Sequence, residues 1–155
     1  MEEPGISNSY QRGHVALILR SFYQTTGRHL VPPESVNAAE DLFLAPFFVA
    51  SHGCESDPIL NYGNRCALDL FEMSWEVFTT TPSRFTAETP ERAERARLLE
   101  RVAARGYIDD YTGVRISSTG RRFSISAATV WNLSNAKGRV VGQAATFAKW
   151  EPLGA

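Results

Sequence analysis

From Gly106 onward the chain is almost entirely three long strand-like segments joined by two short turns, and no other feature constrains the fold as much. The segments are GYIDDYTGVRIS, RRFSISAATVWNL and RVVGQAATFAKW, and the turns between them are STG and SNAKG. Turns that short, built from Ser, Asn and Gly, return the chain antiparallel, because a parallel return needs a crossover of about a dozen residues. The last segment is apolar or small on both parities: Val140, Gly142, Ala144 and Ala148 on one, Val141, Ala145 and Phe147 on the other. A strand without a polar side is covered on both faces. The closing sheet therefore needs structure above and below it.

The upstream sequence supplies that structure. Tyr10 to Thr26 carries Val15, Ile18, Leu19, Phe22 and Tyr23 at helical spacing, with Asn8 or Ser9 as N-cap and Gly27 as stop. Beyond the paired prolines of LVPPES, Ser35 to Leu44 predicts a second short helix that ends before Pro46. Residues 1–44 read as an N-terminal helical extension and residues 45–155 as the body. The body opens with PFFVAS, a buried strand, and ILNYGN, a second one. NRCALDLF and SWEVF follow as short helices, the latter capped by Ser74. In TPERAERARLLERVAARG, Thr89 is the expected N-cap, Pro90 sits at the first helical position and Gly106 ends the helix. Ala93, Ala96, Leu99, Val102 and Ala103 form its expected buried stripe, and Glu91 pairs with Arg95. The predicted architecture is α+β: a five-stranded antiparallel sheet with helices on one face, plus the N-terminal helical extension.

Composition narrows the partners. A chain of 155 residues makes about one domain. Its 16 basic residues against 17 acidic ones give no electrostatic reason to expect nucleic acid or an anionic membrane surface. The acidic start MEEPGIS does not read as a secretory signal, and the run VALIL is too short to span a bilayer. Two cysteines twelve positions apart make neither a zinc site nor a disulfide framework, so the expected setting is a reducing cytoplasm.

Several segments together carry a resemblance to a known family: APFFVASHG (45–53), DPILNYGNRCALDLFEMSWEVF (57–78), PSRFTAE (82–88), GYIDDYTGVRISSTGRRFSI (106–125) and VWNL with GQAATF near the end. In element order and in these residues the chain resembles the PAS fold, a sensory and dimerisation module. Within that fold it is similar to the MEKHLA domain, a PAS-related family found in stand-alone bacterial proteins and at the C-terminus of plant class III homeodomain leucine-zipper proteins. The resemblance implies a sensor or interaction module and leaves its signal unnamed, because fold alone does not give function.

Each candidate for chemistry has a plainer structural explanation. Cys66 lies one turn before Leu70 on an apolar helix, and packing as a small hydrophobe outweighs a reactive role. Photoactive LOV domains, flavin-binding relatives of PAS, use a cysteine in an NCRFL-like segment; the matching segment here is PSRFT, with Ser83 in that place. The same comparison puts Ala144 where those domains carry a glutamine, with Gln143 on the other parity. A thiol–flavin adduct is disfavoured, and so is haem ligated by a histidine of the long helix, which has none between residues 88 and 106. His52 and Cys54 in SHGCESDP read as a strand-end turn before they read as a dyad, and nucleophile and base rarely meet two residues apart on a loop. Asp109 and Asp110 point to opposite faces of a strand, one of them in position to pair with Arg115, Arg121 or Arg122. GRVVGQ lies on a hairpin and lacks the helix start that a phosphate loop needs.

The remaining positive signal is aromatic. Phe71, Trp75, Phe78, Tyr107, Phe123, Trp131 and Phe147, with Cys66 at the border, are the candidate lining of a small-molecule pocket, although aromatics are core residues first. No catalytic residue and no metal ligand is assigned. The expected function is a PAS-like sensory or protein-interaction module that signals through a homodimer or a protein partner; a filled core outweighs a ligand cavity, and a small molecule bound in the core is the lesser alternative. The dimer is expected to form through the N-terminal helix, with Leu17, Ile18, Phe22 and Tyr23 spread around more than one side. The alternative is a small enzyme or passive ligand carrier using the same cavity. An enzyme needs a polar group with a matched base, and no convincing pair is present.

Overall fold

A computed structural model describes residues 1–87 and 92–154, with the side chains of Arg92 and Arg95 excepted. After a 3-10 segment at Ile6–Gln11 the elements are α1 (Arg12–Thr26), α2 (Ala38–Phe43), β1 (Phe48–His52), β2 (Leu60–Gly63), α3 (Arg65–Phe71) and α4 (Trp75–Phe78). A second 3-10 turn, Ser83–Thr86, leads to α5 (Arg92–Arg105), β3 (Tyr107–Ile116), β4 (Arg122–Ser134), β5 (Val140–Phe147) and β6 (Lys149–Pro152). The sheet is antiparallel throughout, in the order β2-β1-β5-β4-β3.

The strand count differs from the expected five because the closing segment breaks at Ala148. β5 pairs with Thr129–Ser134 of β4, and β6 pairs with Phe123–Ser126 of the same strand, so the two follow one another along a single edge of β4. Between these stretches Ala127 has φ 53°, a left-handed conformation rare for a residue with a Cβ. Tyr111 and Gly113 of β3, two apart, face Ala128 and Ile125 of β4, three apart, so β4 carries an extra residue there. This bulge reverses the parity of the strand. Phe123 and Ile125 face the body helices before it, and Ala128 and Val130 face them after it.

The sheet is covered on both faces, as the last strand demands. Trp131 and Thr129, from the opposite parity of β4, lie beneath α1: Phe22 meets the Trp131 ring edge-on at 4.7 Å, and the Ser134 amide donates to the Ser21 hydroxyl. Burying Ile18 and Phe22 there stabilises by about 1.5–3 kcal/mol each. Val15, Ile18, Phe22, Leu42 and Phe43 of the N-terminal segment belong to the same hydrophobic core as Phe48, Phe71 and Trp131 of the body. Even residues of β5 (Gly142, Ala144, Thr146) face α1 and odd ones (Gln143, Ala145, Phe147) face the other way.

Local signals explain most element ends. Gly27 takes φ 73° and its amide donates to the Tyr23 carbonyl, closing α1. Asn8 does not cap α1; its carbonyl accepts from the Gly5 and Gln11 amides and holds the preceding 3-10 segment. Ser74 caps α4, and Asn64 caps α3 by accepting from the Ala67 amide. Asn64 is wholly buried and also accepts from Val49 and donates to Leu42 and Phe47, which fastens α2, β1 and α3 together. Among the described side chains of α5 the buried ones are Leu98 and Val102, which pack on the sheet, while Ala93, Ala96, Leu99 and Ala103 are exposed. The expected cap at Thr89, Pro90 at the first position and the Glu91–Arg95 pair lie outside the described residues.

Candidate functional site

The sheet face away from α1 forms the floor of a cavity of about 90 Å³. Phe48, Ala50 and His52 of β1 line it together with Gln143, Ala145 and Phe147 of β5, residues that pair across the two strands. Ile125, Ala128 and Val130 of β4 and Tyr111 and Arg115 of β3 extend the floor. Phe71 of α3, Ser83 and Thr86 of the second 3-10 turn, and Leu98 and Leu99 of α5 close it from above. The α5 wall is lightly held. Leu98 and Val102 pack on Ile108 and Val130, and the only ion pair from α5 to the sheet among the described residues is Arg101–Asp110 at 2.9 Å. That pair is solvent-exposed and contributes about 0–1 kcal/mol. Asp110 thus takes its arginine from α5, not from β3 or the β3–β4 turn as the sequence suggested.

The polar groups of the cavity lie toward its ends. His52 and Gln143 sit opposite one another four positions along the strands from the Phe48–Phe147 pair, and those two rings stack at 4.2 Å. Gln143 donates to the Asn132 side chain at 3.5 Å, and Nδ1 of His52 bonds the Gly53 carbonyl at 2.8 Å, the strand-end role expected of it. Toward the other end, the Tyr111 ring lies across Gly113, where a Cβ would come within 2.8 Å of the Tyr111 Cζ. The Arg115 guanidinium stands 5.2 Å from the centre of that ring. Tyr111, Gly113 and Arg115 share one parity of β3.

The eight sequence candidates are divided by the sheet and its bulge. Phe71 and Phe147 line the cavity. Phe123 packs on Phe71, and Phe78 is wholly buried against Phe71 and Gly63, one layer back. Trp131 and Tyr107 are cross-strand partners on the α1 face, and Trp75 packs on Tyr62 and donates to the Met1 carbonyl. Cys66 is half-buried beside the core; burial, with Asp69 adding to it, pushes its thiol pKa up and away from reactivity. Sequence reasoning missed Tyr111 and Arg115 as cavity residues. Their shared parity with Gly113 was the available signal.

The residues do not fit a thiol–flavin adduct. The cavity is smaller than the ~300–1,000 Å³ of ordinary ligand pockets, and the lining residue in the cysteine's place is Ser83. Neither Cys54, exposed on the β1–β2 loop, nor Cys66 lines it. Among the described residues no cluster of His, Cys, Asp and Glu could hold a metal ion, and no helix is long and apolar enough to cross a membrane.

Solved structures share this arrangement. A PAS domain of a Colwellia psychrerythraea protein superposes with a TM-score of 0.60 at 13% identity, over 74% of this chain and 92% of that one. The dark-state LOV domain of the blue-light photoreceptor Aureochrome1 gives a TM-score of 0.54 at 19% identity, over 79% and 88% of the two chains. A light-oxygen-voltage domain studied with a flavin analogue gives 0.55 at 16%, over 75% and 84%. At such identities the likeness shows the fold, that of PAS and LOV domains. No curated protein sequence is significantly similar to the chain. Residues 12–152 match the model of the MEKHLA domain, from the first residue of α1 to the last of β6, and the chain belongs to that family.

Proposed function

We propose that this protein is a PAS-like sensory module that takes a small molecule into the cavity between α5 and the sheet and passes the event on by self-association or to a protein partner. The observation that carries the reading is the cavity itself. Its lining is mostly apolar with a few polar side chains in it, and among the described residues its α5 wall rests on two buried side chains. A ligand larger than the cavity is admitted by a shift of α5, which costs little because so little apolar area fixes it.

Self-association runs through the N-terminal helix in this reading. Ile18 and Phe22 are consumed by the protein's own sheet, which leaves Tyr23, half-exposed and stacked on His29, as the apolar group of α1 offered outward. The test of ligand binding is native mass spectrometry of freshly purified protein, alongside a visible spectrum and denaturing mass spectrometry. A stoichiometric small molecule released on denaturation is the expected result. A bare chain that also takes up nothing from a small-molecule panel rules the reading out.

A further inference from the structure

The cavity reading leaves the chemistry of its ligand open, and one residue narrows it. Among arginines whose side chains are described, all but Arg115 are exposed. Arg115 is drawn partly out of water, toward the cavity. Arg84, Arg101 and Arg121 each have a carboxylate, from Asp57, Asp110 and Glu72. Among the described residues Arg115 has none. Among the described residues its guanidinium donates once, from Nη1 to the carbonyl of its neighbour Val114 at 3.1 Å, and it stands over the Tyr111 ring. A guanidinium has five N–H donors in a planar fork shaped to take a carboxylate with two parallel bonds. Withdrawing such a cation from water without an anion is costly, and a bound anion offsets that cost.

We infer that the ligand is a monocarboxylate with a compact apolar body, its carboxylate held by Arg115 and its body lying between the aromatic pair Phe48–Phe147 and Leu98. This rests on the proposed cavity function. The body is small because the space is small: about 90 Å³ here, against the ~150 Å³ apolar cavity that accepts benzene. A single ring or short branched chain fits once α5 yields slightly. The apolar floor at Ile125, Val130 and Ala145 discriminates against inorganic anions, which carry no apolar surface to bury.

The experiment uses the full chain and ligand-observed NMR at millimolar probe, comparing benzoate and phenylacetate with benzamide, phenylacetamide and inorganic phosphate. The expected result is carboxylate binding at least about tenfold tighter than that of the matched amide, as a charge-assisted bidentate contact gives. In Arg115→Gln, with an unchanged amide correlation spectrum, the preference falls to about twofold or less while amide affinity is retained; Arg115→Lys keeps part of it. Ala145→Leu, which fills the floor, removes binding of both classes. Amides binding as well as carboxylates, phosphate matching benzoate, or carboxylate binding that survives Ala145→Leu each overturns the anion assignment while leaving a cavity module possible. If no probe of either charge binds, the monocarboxylate assignment fails, and the cavity reading fails with it only where the purified chain is also bare and takes up nothing from the small-molecule panel.

Discussion

Nε2 of His14 in α1 lies 3.0 Å from the Ser51 hydroxyl in β1, on the sheet face opposite the cavity. Ser51 gives its own proton to Asn61 at 2.6 Å, so His14 must be the donor, as the neutral imidazole with its proton on Nε2. Burial lowers the His14 pKa below its ordinary value, and the Tyr62 ring packs at 5.7 Å. This relay anchors α1 to the edge of the sheet that carries β1 and β2.

The consequence is a pH-dependent attachment of α1. A histidine whose folded-state pKa lies below its unfolded value, about 6.5, costs the fold nothing above that pH. As pH falls below about 6.5 the unfolded chain takes up the proton first, and stability declines until the lowered folded pKa is passed. The urea midpoint of the wild type is therefore expected to drop between pH 7.5 and 5.5. In His14→Gln, which keeps a donor for Ser51 and cannot titrate, the drop is smaller. Equal drops in the two proteins would remove His14 as the cause.

Cys66 is expected to be a poor nucleophile. Its thiol pKa is raised by burial and by Asp69, while Cys54 is exposed on the β1–β2 loop. A thiol reagent at neutral pH should modify one cysteine per chain quickly, and Cys54→Ser should remove that fast phase. The slow phase is expected to be at least about tenfold slower. Cys66→Ala should cost about 1 kcal/mol in denaturant unfolding, from lost packing. A fast phase that persists in Cys54→Ser sinks this assignment.

The bulge at Ala127 decides which aromatics reach the cavity, and its backbone is the test. At φ 53°, alanine pays about 1 kcal/mol or more that glycine does not, partly offset by glycine's greater freedom in the unfolded chain. Ala127→Gly should raise the melting temperature slightly. Ala127→Val, β-branched and exposed, should lower it by the equivalent of more than about 1 kcal/mol. A less stable glycine variant would mean that the left-handed backbone is not the cost at this position.

The architecture was legible in the sequence because its signals are local. Short turns at Ser118–Gly120 and around Gly138, paired prolines, Ser74 and Gly27 each fix an element end within a few residues. The cavity was less legible because its lining depends on parity along β4, and the extra residue that reverses parity carries no glycine to mark it. Trp131 therefore read as a pocket residue although it lies under Phe22 on the far face. The α5 stripe was misplaced for a related reason. Periodicity gives a helix its apolar side, but which turns touch the sheet depends on where the helix crosses it, and among the described residues Leu98 and Val102 are the α5 side chains buried there.

The proposed dimer makes the remaining demand on α1. Its inward face, Val15, Ile18, Ser21 and Phe22, is buried in the protein's own core, so a contact between copies has to use the other side of the helix. There Tyr23 is 51% exposed, its ring stacked 4.6 Å from His29, a flat amphipathic surface of the kind enriched at interfaces. Removing residues 1–44 is a poor test, because it strips Phe22 from Trp131 and unfolding would mimic dissociation. A single change, Tyr23→Glu, leaves the core untouched and sets two like charges against each other across a symmetric contact. Light scattering over a dilution series should show a dimer for the wild type and a monomer for Tyr23→Glu, with the two circular dichroism spectra alike. A wild type that stays monomeric at every concentration overturns self-association as the output. A dimer insensitive to Tyr23→Glu moves the contact off this face of α1.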